Sequence, residues 1–333
     1  MREQLIYSFS DAPTPQCHAS TLAELADGTL CAAWFGGTHE KNPDVGIWFS
    51  RRQNGIWEKP RCVADSPVPH WNPVLFVYEG VLQLYYMRGE NPRNWYSLVI
   101  ESFDGGDTFS EPRELVDGDT LCRGPVKNKP IRVADRILAP ASIESPSWFS
   151  FIDRSDDGGR TWQKSNYIYT GKAQVNYNRQ AEDGTLEEGA SKPDGTIQPT
   201  LWATSDTDIY ALFRSNCGFI MRSESHDCGI TWSEAERTAY PNNNSGIDVV
   251  RLFDGRIALV CNPIGKNWGA RSPISLLISE DNGKTFRRVC DFDRAPGEFS
   301  YPAIIQKADG DLCISYTWYR RSICVVDVAL SEL

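Results

Sequence analysis

The chain has 333 residues, a formal net charge of −10 and a 41% hydrophobic, 11% aromatic composition. That composition supplies a sizeable packed core and excludes disorder. The acidic balance excludes a general nucleic-acid or membrane-surface partner, though not a local basic pocket for an anionic small molecule.

The ten cysteines lie mostly in apolar runs such as Leu30-Cys31-Ala-Ala-Trp34 and none shows CxxC spacing, so buried reduced thiols are expected and zinc is not. The N-terminus, Met1-Arg-Glu-Gln-Leu-Ile-Tyr, has no apolar leader-like run, and no stretch reaches membrane-spanning length. A cytoplasmic location is the expectation.

Taken in chain order, Leu5-Ile-Tyr-Ser-Phe9 is an isolated strand. Six short turns then split alternating apolar runs, at Ala26-Asp27-Gly28, Tyr78-Glu79-Gly80, Ala134-Asp135-Arg136, Asp206-Thr207-Asp208, Phe253-Asp254-Gly255 and Ala308-Asp309-Gly310. Each is a hairpin signature, because such turns need the positive φ that Gly and Asp tolerate. Interleaved with them is an eight-residue turn: Ser102-Phe-Asp104-Gly-Gly106-Asp-Thr108-Phe109, then Ser155 to Trp162, Ser225 to Trp232 and Ser279 to Phe286, with a worn copy from Ser50 to Trp57. A repeat of roughly 50 residues means an array of small sheets. Six four-stranded antiparallel units make an all-β, six-bladed propeller over 1–333, closed by the N-terminal strand because the sixth unit lacks its own outer strand. No amphipathic helix is expected. A long polar connection over 171–196 is read as a lid or a subunit contact, with a homo-oligomer as the corresponding partner expectation.

The eight-residue turn resembles the Asp-box of the sialidase superfamily. Its aspartates, Asp104, Asp157, Asp227 and Asp281, are expected to accept backbone N–H groups within the turn, and its Trp or Phe to wedge between sheets. Since the hairpins and Asp-boxes share one rim, chemistry belongs to the opposite rim.

The resemblance implies an enzyme with three arginines on a substrate carboxylate, a tyrosine nucleophile with a glutamate partner, and an aspartate acid/base. Arg214 and Arg271 match two of the arginines, Tyr301 the nucleophile and Asp44 the acid/base. Two positions depart: His18 stands in place of the first arginine and Gln198 in place of the activating glutamate. Glu298, three residues before Tyr301, is the substitute base, with Glu144 as a second choice. Further substrate contacts are expected from His70, Asn72, Lys127, Lys129, Asn244, Asp248, Asn262 and Arg320, and sugar platforms from Trp71 and Trp318. The expected activity is exo-hydrolysis of a terminal acidic sugar from a glycan. Alternatives are a uronate lyase using His18 and His70 as acid and base, and a glycan-binding propeller without catalysis. Neither a cofactor nor a metal is expected.

Overall fold

The computed structural model describes residues 1–171 and 194–333. The connection over 172–193 lies outside the described residues, and with it the lid or subunit-contact role expected of the 171–196 segment. Strand β1 (Arg2–Leu5) opens the chain and pairs antiparallel with the last strand. The first blade holds β2 (Gln16–Glu24), β3 (Leu30–Gly37), β4 (Gly46–Gln53) and a split outer edge, β5 (Ile56–Trp57) and β6 (Arg61–Ala64), both on β4. The second holds β7 (His70–Tyr78), β8 (Val81–Arg88), β9 (Tyr96–Ser102) and β10 (Arg113–Glu114). The third runs through β11 (Ile131–Val133), β12 (Arg136–Ile143), β13 (Phe149–Ser155) and β14 (Gln163–Lys164). The fourth comprises β15 (Thr196–Ala203), β16 (Ile209–Ser215), β17 (Phe219–Ser225) and β18 (Glu236–Pro241). The fifth comprises β19 (Asp248–Arg251), β20 (Ile257–Cys261), β21 (Ile274–Ser279) and β22 (Arg287–Phe292). The sixth, β23 (Phe299–Gln306), β24 (Leu312–Trp318) and β25 (Ser322–Val328), receives β1 as its outer strand.

The protein is therefore an all-β, six-bladed propeller, and the N-terminal strand closes the ring. Its register differs from the expected one: the paired residues are Arg2–Leu5, whereas Phe9 sits in a short 3-10 turn over Phe9–Asp11. Burial explains the shift, since Ile6 and Tyr7 leave the strand to fill the core between the sixth and first blades with Trp34 and Val325. Among the described residues the only helical segments are 3-10 turns, and no helix is long and apolar enough to cross a membrane.

Each Asp-box closes on itself. Asp157 accepts from the Thr161 amide at 2.9 Å and the Thr161 hydroxyl at 2.7 Å, and Ser155 Oγ accepts the Gly159 amide at 2.8 Å. The same bonds recur at Asp104, Asp227 and Asp281. Bonds from the threonine hydroxyl and amide hold the Asp157 and Asp281 carboxyls down at about 2. These aspartates are turn staples. The aromatic that ends each box wedges between neighbouring sheets: Trp162 packs with Tyr85 and Val99 of the second blade and Ile137 of the third, and Trp232 with Leu138 and Ile209. All ten cysteines are unpaired and six of them are buried.

Trp162 and Phe103 lie in two copies of the same turn but in opposite environments, 8% and 77% exposed. Trp162→Ala should cost about 3–5 kcal/mol of unfolding free energy and Phe103→Ala no more than about 0.5 kcal/mol. Denaturant melts of the two variants measure the difference, and equal losses would contradict the wedge.

Candidate functional site

At the mouth opposite the Asp-boxes, each blade carries one left-handed residue, within its innermost strand in four blades and in the segment leading into that strand in the third and fifth. These are Ala19 (φ 55°), Asn72 (43°), Lys127 (71°), Gln198 (54°), Asn244 (61°) and Tyr301 (54°). In four blades the pairing register slips at the same point, between His18 and Thr21, Trp71 and Val74, Ile197 and Thr200, and Ser300 and Ala303. Such a bulge bends the strand and re-aims its side chains, here toward the axis. A left-handed non-glycine residue costs on the order of 1–3 kcal/mol and persists only where its surroundings impose it.

The result is a cavity of about 250 Å³. One wall is aromatic, formed by Phe35, Trp71, Trp95 and Trp148, with Trp268 at its lip. The other is cationic, formed by Arg214, Arg271 and Arg320 from the fourth, fifth and sixth blades. Tyr301 lies between guanidiniums: the Arg214 and Arg271 carbons stand 5.6 and 5.5 Å from its ring centroid. Arg214 Nη1 donates to the Tyr301 hydroxyl oxygen at 2.5 Å and to Gln198 Oε1 at 3.1 Å, while its Nε donates to Asn244 Oδ1 at 2.7 Å. Gln198 and Asn244 thus aim Arg214 at Tyr301. Glu298 lies behind the wall, where Oε1 accepts from Arg271 Nη1 at 2.6 Å and Arg320 Nε at 2.8 Å.

His18 lines the cavity with its ring centroid 4.2 Å from that of Tyr301. Its Nδ1 meets Thr317 Oγ1 at 2.8 Å, and its Nε2 is buried with no partner. Burial, reinforced by the positive charges of Arg320, Arg271, Arg214 and Lys127, holds His18 well below the usual imidazole range. It is a neutral imidazole among four cations.

Several expected contacts lie elsewhere. Asp44 does not line the cavity: its Oδ2 accepts from the Thr38 amide at 2.9 Å and the Thr38 hydroxyl at 2.7 Å, bonds that hold its carboxyl low and staple its own loop. Lys129, Asp248 and Asn262 belong to the axial packing beneath the mouth. Lys129 Nζ pairs with Asp248 Oδ2 at 2.8 Å, Asp248 also accepts from Thr200 and the Ile304 amide, and Asn262 Nδ2 caps the carbonyls of Pro273 and Phe299. Lys127 lies there too. Its Nζ donates to the carbonyls of Ile247 and Pro302 and to Asn128, and burial pushes it down to about 7. His70 packs edge-on to Tyr86 and contacts Ser66, and burial with nearby Arg88 pushes it down to about 4. Trp318 packs against Phe9 and edge-on to Tyr319 and does not line the cavity. Asn72, Gln198, Arg214, Arg271, Tyr301, His18, Trp71 and Arg320 do converge on it. Sequence reasoning missed the aromatic wall of Phe35, Trp95, Trp148 and Trp268, and gave Glu40, on a loop of the expected rim, no role.

Residues 28–314 match the BNR repeat-like domain family. The chain belongs to that family. Its fold is that of the sialidase-like superfamily of BNR propellers. The solved structure of the Hadza microbial sialidase Hz136 is similar over 99% of this chain and 69% of its own, with a TM-score of 0.79 and 16% identity. A protein of unknown function from Dyadobacter fermentans covers 99% and 98% at a TM-score of 0.75 and 16% identity. The intramolecular trans-sialidase from Ruminococcus gnavus, solved with oseltamivir carboxylate, covers 97% and 96% at a TM-score of 0.70 and 14% identity. No curated protein matches the chain.

The electrostatics of this BNR propeller's mouth give a direct check. His18 should stay unprotonated as the pH falls through 6.5, its ordinary value, whereas exposed His226, bonded to Asp208 and Glu224, has by then taken up its proton. The unfolded chain protonates His18 below that pH and the folded chain does not, so this group removes stability as pH falls. Histidine-resolved NMR titration reads both, and a His18 titrating at or above 6.5 would contradict the placement.

Proposed function

We propose that the mouth binds the terminal acidic sugar of a glycan and hydrolyses its glycosidic bond. The observation that carries this reading is the placement of Tyr301 between Arg214 and Arg271 at the cavity wall. Planar guanidiniums offer paired donors to a carboxylate. A phenol suits an anionic sugar because a carboxylate nucleophile would repel the substrate's own charge. The cavity of about 250 Å³ suits one sugar ring, whose apolar face meets the aromatic wall. A neighbouring hollow of about 460 Å³ shares Lys41, Glu144, Trp148 and Trp268 with it and gives room to the rest of the glycan. The complex of the Ruminococcus gnavus relative with oseltamivir carboxylate is in keeping with a carboxylated ligand. Ten unpaired cysteines support a reducing, cytoplasmic setting.

In this reading the substrate carboxylate lies against Arg271 and Arg214, and the Tyr301 oxygen attacks the anomeric carbon. Arg214 already stands where negative charge develops on that oxygen as its proton leaves. Gln198 cannot take that proton. His18 is the neutral nitrogen base beside Tyr301; burial chiefly suppresses its basicity, and a bound carboxylate offsets the part contributed by the surrounding cations. The glycosidic C–O bond breaks with its electron pair on the leaving oxygen, which takes a proton from an acid at the mouth. Water then releases the sugar from Tyr301. A lyase working through His18 and His70 has no support, because His70 does not line the cavity.

The test is incubation with sialosides, other ulosonates and uronate-terminated oligosaccharides, following reducing sugar and ultraviolet absorbance together. Released reducing sugar without new absorbance is the expected result. Arg271→Ala should lower kcat/KM by about 10²-fold or more, and Tyr301→Phe should lower kcat by a larger factor while substrate still binds. Binding without turnover by the unmodified protein would leave a glycan-binding propeller, and an unsaturated product would leave a lyase.

A further inference from the structure

The hydrolytic reading needs an acid for the leaving oxygen, and Asp44 is fastened to Thr38 outside the cavity. The same loop, between β3 and β4, places a different carboxylate in the cavity. Glu40 lines it, and Glu40 Oε2 accepts from Arg320 Nη1 at 2.6 Å. Arg320 is held in turn by Glu298 at its Nε, 2.8 Å away. Its backbone is fixed as well: Tyr319 and Arg320 are both left-handed (φ 52° and 54°), and the Arg320 carbonyl accepts the Cys17 amide at 2.8 Å, next to His18. The guanidinium is therefore a placed group, with one edge on a buttressing carboxylate and the other on a loop carboxylate at the mouth.

Resting on the acidic-sugar reading, we propose that Arg320 is a third guanidinium for the substrate carboxylate and that Glu40, its resting partner, is the general acid. The two form one device. An incoming carboxylate takes the Nη1 edge of Arg320 and displaces Glu40, while Glu298 keeps the Nε edge. A carboxyl group stripped of its cation and covered by a sugar favours its neutral, proton-carrying form. Glu40 then gives its proton to the leaving oxygen as the C–O bond breaks and the bond from Tyr301 to the anomeric carbon forms, the tyrosine proton passing to His18. In the second step water attacks the anomeric carbon and gives its proton to the Glu40 carboxylate, the bond to Tyr301 breaks, and the tyrosine oxygen recovers its proton from His18. Glu40 then loses its proton to solvent and returns to Arg320 when the sugar departs. A neutral sugar of the same shape leaves Glu40 on Arg320, so selection for acidic sugars operates on the chemical step as well as on binding. The arrangement also restores three guanidiniums to a site whose first-blade position is His18, with the third delivered from the sixth blade.

Two measurements test this on Glu40→Gln, Asp44→Asn and Arg320→Gln. The first is the affinity for 2-deoxy-2,3-didehydro-N-acetylneuraminic acid and for a 4,5-unsaturated uronic acid, as carboxylated probes. Glu40→Gln should bind the recognised probe several-fold more tightly, because its competitor for Arg320 is gone, and Arg320→Gln should bind it about tenfold or more weakly. The second compares alkyl-linked and 4-nitrophenyl-linked glycosides of the sugar the unmodified protein cleaves. Glu40→Gln should lose about 10²–10⁴-fold on the alkyl glycoside and little on the nitrophenyl one, whose leaving group needs no proton, while Asp44→Asn keeps both rates. Glu40→Gln with unchanged affinity and unchanged rates, or the selective loss appearing in Asp44→Asn, overturns the assignment and leaves the acidic-sugar reading standing. An unmodified protein that neither binds the probes nor cleaves acidic glycosides removes both.

Discussion

Six times around the ring the chain enters the left-handed region just as its innermost strand reaches the mouth, and the site is made by that constraint. A flat strand would alternate its side chains between the two faces of its blade and send few of them toward the axis. The bulged, left-handed step breaks the alternation and delivers His18, Asn72, Gln198 and Tyr301 into one cavity. None of the six residues involved is glycine. The conformational cost of each is therefore met by side-chain contacts as well as by the ladder. Asn244 accepts from Arg214 and Lys127 anchors to the carbonyl after Tyr301. Gly246 shows how tight this packing is, since an added Cβ there would stand 3.1 Å from the Lys127 side chain and 3.3 Å from that of Tyr301.

The cavity takes its arginines from the last three blades, and its aromatic side chains from the first three and, with Trp268, the fifth. Arg214 packs over Trp148 and Trp268, so the cationic and aromatic surfaces adjoin. Beneath it, Lys127, Lys129 and Asp248 tie the third, fifth and sixth blades together across the axis through buried, mutually satisfied bonds. This axial layer packs the mouth from below, with the charge of Lys129 matched by Asp248 and that of Lys127 suppressed by burial. His18 stays neutral there, chiefly through burial, so its unpartnered Nε2 is a proton acceptor beside Tyr301.

Local chemistry was legible in the sequence and side-chain direction was not. The hairpins and Asp-boxes could be read because turns such as Asp254-Gly255 and Ser155-Asp-Asp157-Gly-Gly159 carry their own conformational requirements within a few residues. The rim assignment followed from strand alternation alone. By contrast, Glu40 and Asp44 lie four residues apart in one polar loop, and only the Thr38 contacts decide which of them faces inward. Lys129, Asp248 and Asn262 read as rim residues because polar side chains are seldom buried. Their placement in the axial layer depends on partners from other blades, which sequence spacing does not encode. The aromatic wall was missed because a tryptophan in an apolar stretch carries no local signal of which surface it lines, as with Trp95 and Trp148. Their position just before β9 and β13, at the mouth ends of those strands, was the available signal.

Everything proposed for this site descends from one interaction, a carboxylate held by the guanidiniums of Arg214, Arg271 and Arg320. Calorimetric affinities for a carboxylated sugar and for its isosteric carboxamide test that interaction directly, because the pair differs in charge and hardly in shape. The account predicts that the carboxamide binds about 10²-fold more weakly or not measurably. Equal affinity for the acid and the amide would contradict it.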